Sequence, residues 1–118
     1  MTVEADIFNA LKTLVSNRVF PDVAPTSTTK PYITFSQVGG EAWGYMERVV
    51  PDKQHGRFQV NVWADTRASA AATMLLVENA LVTSTAFQCS AVSAPSSDYD
   101  HDMQTYGAMQ DFSIWSTR

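Results

Sequence analysis

The sequence contains a single cysteine, Cys89, and that scarcity removes several classes of protein at once. One thiol cannot close an internal disulfide or assemble a cysteine-based zinc site within one chain. Cys89 lies near Ala86, Phe87 and Val92 with no basic neighbour to lower its pKa, so it reads as a buried, inert thiol. Long apolar runs are also missing: none approaches the roughly 20 residues that span a bilayer. The opening MTVEADIF has two acidic residues and no basic one before its first apolar cluster, so no signal peptide is expected and the chain reads as cytoplasmic. Positive charge is scarce, with eight Lys and Arg against twelve Asp and Glu for a formal net charge of -4. Nucleic-acid binding through phosphates replaces counterions with Lys and Arg, and no basic cluster is present to do so. The chain also lacks a G-x-S-x-G elbow, a phosphate-cradling glycine loop and a pair of helical metal ligands. Its two histidines, His55 and His101, stand in separate polar stretches without nucleophile or metal spacing.

What is present suits one domain spanning residues 1 to 118, with 45% hydrophobic and 17% charged residues. Residues 3 to 15 form an amphipathic pattern, with Val3, Ile7, Leu11, Leu14 and Val15 on one stripe, Thr2 as N-cap and Asn17 closing the helix. Val19 and Phe20 begin an extended segment that Pro21 interrupts, and a Pro-, Ser- and Thr-rich surface loop runs to Pro31. Residues 32 to 38, YITFSQV, read as a strand ended by Gly39 and Gly40. The segment after them, through residue 56, is too long for a tight turn and reads as a projecting hairpin with its tip near Pro51 to Gly56, or as a mobile loop. Residues 57 to 64 predict a strand, 66 to 83 a helix, and 86 to 93 and 106 to 116 two further strands, with a polar linker between those two. The order predicts an α+β domain: a mostly antiparallel sheet of four to five strands with two helices packed on one face.

Two local features invite a chemical reading. Asp98, Asp100 and Asp102 alternate as at the start of a calcium loop, but the sixth and twelfth positions hold Met103 and Met109 where glycine and glutamate are needed. A solvated acidic loop is the expected outcome. Asp65 and Thr66 stand at a strand-to-helix joint whose free amides suit an anion. A side-chain cap worth about 1 kcal/mol is the simpler role, and an acidic residue makes the joint less attractive to a phosphate.

The helix at 66 to 83 is more informative. Its only charges are Arg67 and Glu78, while Met74, Leu75, Leu76, Val77, Leu81 and Val82 point in nearly every direction around the axis. One sheet covers a single apolar stripe, so something further is expected to pack on this helix, a neighbouring subunit being a natural candidate. Strand alternation adds to this. If Phe58, Val60 and Val62 face the helices, Trp63 faces away with Gln59 and Asn61; likewise Phe112 and Ile114 oppose Met109 and Trp115. Tryptophans on a polar sheet face read as anchors of a partner interface, or as a surface covered by the 39 to 56 segment.

The ordered combination of a short amphipathic N-terminal helix, VFPDVAPTSTTKPYITF, a variable insertion, RFQVNVWADTRASAAATMLLVENAL and a last strand ending FSIWST resembles a known family. It is similar to the small tail-completion or tail-terminator proteins encoded in structural gene clusters of long-tailed bacteriophages and prophages. The resemblance covers nearly the whole chain and rests on the order and spacing of strand patterns. It implies a non-enzymatic subunit of a homo-oligomeric ring, commonly a hexamer, that caps the head-proximal end of the tail tube. Such a ring stops tube polymerisation and meets the tail tube protein and the head connector protein. The implied location is the virion, at the head-tail junction, after assembly in the bacterial host cytoplasm. No cofactor, membrane or specific nucleic-acid partner is implied. Interface candidates are Trp63, Trp115 and Met109 on the sheet, Met74, Leu76 and Val77 on the helix, and Trp43, Tyr45 and Arg48 in the 41 to 56 segment. Two other readings are a small ligand- or peptide-binding module that uses the sheet as a floor, and a minor enzyme with a metal on Asp98, Asp100 and Asp102.

Overall fold

A computed structural model describes residues 2–25, 27–40, 53–102 and 104–117. Helix α1 covers Val3–Leu11, and Thr2 caps it by accepting a hydrogen bond from the Ala5 amide at 3.1 Å. The helix expected to run to residue 15 tightens into a 3-10 turn over Lys12–Leu14. Ser16 and Asn17 then adopt left-handed conformations, and the Asn17 amide donates to the Lys12 carbonyl at 2.7 Å. Asparagine tolerates that region because its short polar side chain is accommodated there, so it closes the helix as its sequence position suggests. Val15 lies outside the helix but is still buried, which shows that the apolar stripe outlasts the helical geometry.

Among the described residues, six strands form one mixed sheet: β1 Val19–Pro21, β2 Tyr32–Gly39, β3 Lys53–Ala64, β4 Gln88–Ala91, β5 Ser96–Asp100 and β6 Thr105–Thr117. Helix α2, Arg67–Val82, lies between β3 and β4 in sequence. The strand order is β1-β2-β3-β6-β4, with β5 pairing β6 beyond the end of β4. Only the short β1 pairs in parallel, beside β2; the β2, β3, β4 and β5 pairings named here are antiparallel. The sheet therefore has one or two more strands than expected, because β1 and β5 join it.

β5 occupies what reads in sequence as a polar linker. Ser and Asp have low strand propensity, but β6 offers an unpaired edge, and backbone pairing from Ser96↔Met109 to Asp100↔Thr105 overrides the local preference. β3 likewise starts at Lys53, four residues earlier than expected, so Gln54, His55 and Gly56 lie in a ladder opposite Ile114 to Ser116 and not at a hairpin tip. Residues 41–52, including Trp43, Tyr45 and Arg48, lie outside the described residues.

The core fills the space between one sheet face and the two helices. Ile33, Phe35, Phe58, Val60, Val62, Phe112 and Ile114 point inward from the strands to meet Ile7 and Leu11 of α1 and Ala70, Met74, Val77 and Leu81 of α2. Phe58 and Phe112 stand directly opposite each other in the β3–β6 ladder, both essentially inaccessible. Burying each such ring contributes roughly 1.5–3 kcal/mol. The helices occupy one side of the sheet, so the other side depends on its own side chains or on a partner.

A candidate assembly surface

The outer sheet face is built by the residues that alternate with the core set. On β3 these are Lys53, His55, Arg57, Gln59, Asn61 and Trp63; on β6 they are Gly107, Met109, Asp111, Ser113, Trp115 and Thr117. Their contacts share a direction. His55 stands opposite Trp115 but shares a 2.6 Å hydrogen bond with Ser113; Arg57 stands opposite Ser113 but reaches Asp111; Gln59 stands opposite Asp111 but reaches the Met109 sulfur at 3.9 Å. These three side chains lean to the diagonal neighbour on the same side, as a twisted antiparallel pair permits, whereas Lys53 donates to Thr117 directly opposite it at 3.0 Å. Arg57 directs both Nε, at 3.0 Å, and Nη2, at 2.7 Å, to the same Asp111 oxygen.

Two tryptophans sit near the two ends of this ladder. Trp63 spreads across the backbone of Gly107, where an added Cβ would come within 2.8 Å of the indole, and its Nε1 donates to Thr34 Oγ1 at 3.4 Å. The ring occupies the volume that a side chain at position 107 would take. Trp115 lies against His55 with ring centroids 4.6 Å apart and planes tilted by 40°, and it stays 38% exposed. Both indoles and Met109 therefore lie on the face opposite the helices, as alternation predicts. Residues 53–56, which belong to the segment proposed to cover this face, instead extend β3 within it.

The outer side of α2 forms a second apolar surface. Thr66 caps the helix by accepting from the Ser69 amide at 3.1 Å, while Asp65 is exposed and faces Lys30 at 3.6 Å. The strand-to-helix joint is thus a capped corner. Its buried stripe is Ala70, Met74, Val77 and Leu81, at spacings of four, three and four that place them on one side. Met74 and Val77, expected at a subunit interface, are fully buried inside the protomer, and the reason is this phase of the helix on the sheet. Leu76 does reach the surface, 52% exposed, beside Leu75 at 66% and Val82. These three, with Glu78 and Asn79, line a shallow groove of about 380 Å³. α1 packs against α2 but leaves that groove open.

Glu78 turns inward to accept from Gln110 Nε2 at 2.7 Å, and Gln110 also donates to the Ser93 carbonyl at 2.8 Å. Cys89 lies close to Glu78; burial, helped by that carboxylate, pushes its thiol up to about 12, which makes it a poor nucleophile at neutral pH. Asp98 and Asp100 project from β5, and Asp102 lies in the turn that follows. Asp98 and Asp100 each accept a nearby backbone amide, from Tyr99 and Asp102, and among the described residues no group of three or more His, Cys, Asp or Glu is placed to hold a metal. Burial, with a smaller contribution from the Asp100 carboxylate, raises the Tyr32 hydroxyl pKa.

Among the described residues, the exposed apolar features thus include the outer side of α2 and Trp115 on the sheet face opposite the helices. A family model described as "Tail completion protein gp17" matches residues 8–117. This chain belongs to that family. The tail completion protein is accordingly a structural protein of a phage tail. No match is found among curated proteins. Among solved structures, a chain in the virion of a native gene transfer agent particle shares the fold of this tail completion protein, with a TM-score of 0.64 at 16% identity over 98% of this chain and 95% of that one.

Proposed function

We propose that this tail completion protein acts as a ring subunit at the head-proximal end of the tail tube, where it ends tube polymerisation and joins the tail to the head connector. The observation that carries the reading is that two unlike surfaces lie on opposite layers of one small domain: the exposed apolar Leu75, Leu76 and Val82 on α2, and the mostly polar outer sheet face that carries Trp63, Met109 and Trp115. A closed ring uses a heterologous interface in which each subunit offers two different patches, and this pair supplies them. Trp43, Tyr45 and Arg48 belong to the segment proposed to reach toward the tube or connector. The net charge of -4 suits a lumen through which DNA passes without adhering. The role is structural and needs no cofactor, in the virion at the head-tail joint after assembly in the host cytoplasm.

The test is assembly on purified tail tubes of the cognate phage, viewed by electron microscopy. The wild-type chain is expected to form a ring of density at one tube end and to block further growth with added tube subunits. Leu75→Glu/Leu76→Glu should lose capping while its unfolding midpoint stays close to wild type, because both side chains are already exposed. Tubes that bind no protein and keep growing would refute the role. A second reading, a peptide-binding sheet floor, is favoured by the open cavities of about 420 and 380 Å³ beside Trp115.

A further inference from the structure

The sheet edge at β4 is built differently from the edge at β1. The Val92 amide donates to the Asp111 carbonyl at 2.9 Å, which sets the phase of the β4–β6 ladder. Gln88 and Ser90 therefore bond toward β6, while Cys89 and Ala91 turn their backbone N–H and C=O groups outward. Among the described residues no strand pairs with that side. Edge strands are commonly guarded by charge or proline. Here no Lys, Arg, Asp or Glu occurs between Glu78 and Asp98, and the nearest proline, Pro95, lies in the crossover to β5. β1 does carry a guard. The Arg18 carbonyl accepts from Ile33 and the Asp22 amide donates to Phe35, so Val19 and Pro21 face outward, and Pro21 has no N–H to offer.

Helix α2 roofs the β4 edge with an apolar side. It packs against β4, and Glu78 reaches Gln110 on β6 close to Cys89. Leu75 stands three residues before Glu78 and Val82 four after it, so both lie on that side of the helix, and both are exposed. Exposed Ala71, one turn before Leu75, leaves room for close approach. A lone extended peptide would satisfy the β4 backbone but leave Leu75 and Val82 in water. A strand with an apolar helix above it covers both.

We infer that the β4 edge and the side of α2 bearing Leu75 and Val82 pair with the same surface of a second copy, antiparallel across a two-fold axis. Under that symmetry each outward N–H meets a C=O, and Leu75 of one copy packs on Val82 of the other. The charge pattern suits the pairing, because the Glu78 carboxylate is turned inward to Gln110 at 2.7 Å and does not oppose its own copy. The contact is isologous and closes on itself, so it makes a dimer and not a ring. It also covers the α2 patch assigned above to the ring. Its role, which depends on the ring reading, is that of a resting form that keeps free copies from assembling away from the tube.

Sedimentation and amide exchange of the full chain, without tubes, test the pairing. A short edge predicts a weak dimer, with a dissociation constant of about 10–100 μM. The Cys89 and Ala91 amides should exchange about 5–10-fold more slowly at millimolar than at micromolar protein. Leu75→Lys/Val82→Lys sets like charges across the seam and should weaken the dimer by about 10-fold or more, with an unfolding midpoint close to wild type because both side chains are already exposed. Ala91→Pro removes one outward donor per copy without touching α2 and should weaken the dimer by about 10-fold. A chain that stays monomeric at millimolar concentration, with both amides exchanging at a constant rate, would overturn the pairing and leave the ring reading standing. A dimer unchanged in both variants would overturn the assigned surface. A wild-type dimer that never caps tubes would overturn the ring reading and the resting role, but not the pairing.

Discussion

The β3–β6 ribbon carries two unlike surfaces on one ladder. Inward, Phe58 meets Phe112 and Val62 meets Ala108, so the fit is set by volume against two helices. Outward, the same backbone pairs Arg57, His55 and Gln59 diagonally with Asp111, Ser113 and Met109, and leaves Trp115 exposed above the ladder. The inner face stabilises the protomer by close packing; the outer face carries mostly polar pairs around its two indoles. A side chain of similar size therefore has very different consequences depending on the parity of its position.

The largest expected effect of breaking this division is on the inside. Phe112→Ala should destabilise the protein by about 3–5 kcal/mol, read from the denaturant midpoint by tryptophan fluorescence, because a close-packed ring leaves a cavity that the sheet and helices cannot close. Two glycines then provide a matched comparison. A Cβ on Gly56 would come within 2.5 Å of the buried Phe58 ring, and one on Gly107 within 2.8 Å of the half-exposed Trp63 ring. Gly56→Ala should cost about 1–3 kcal/mol, since Phe58 has nowhere to move. Gly107→Ala should cost less than about 1 kcal/mol, with the indole displaced toward solvent and its emission shifted to longer wavelength. Equal losses in the two variants would erase the distinction between the faces. The smallest effect belongs to the outer ion pair: a double-mutant cycle on Arg57→Ala and Asp111→Ala should give a coupling of about 0.2–1 kcal/mol that shrinks in high salt. A coupling well above that, insensitive to salt, would mean that the outer face is structural as well.

Much of this division is legible in the sequence. Alternation through Phe58, Val60 and Val62 and through Phe112 and Ile114 assigns the inner positions, and it assigns Trp63, Met109 and Trp115 to the outside by exclusion. The caps at Thr2 and Thr66 are legible too, because a hydroxyl just before an apolar periodic run meets the free amides of the first turn. The phase of α2 is not. Met74, Leu75, Leu76 and Val77 are four consecutive apolar residues, and composition does not say which of them meet the sheet. β5 escapes detection for a related reason, since its stability comes from the β6 edge and not from Ser and Asp. Lys53 to Gly56 are joined to β3 in the same way, by the reach of Ile114 to Thr117 on the facing strand.

Local chemistry along the chain therefore determined both helices, the cores of the long strands, the helix starts and the two faces of those strands, because each depends on neighbours within a few residues. Tertiary structure alone decided that Met74 and Val77 face inward and Leu75 and Leu76 outward, since the rotation of a uniformly apolar helix is set by the layer it packs on. It also decided that the β4 edge stands beside the Glu78 side of α2. That adjacency follows from strand pairing between residues more than twenty positions apart, which a reading along the chain does not contain.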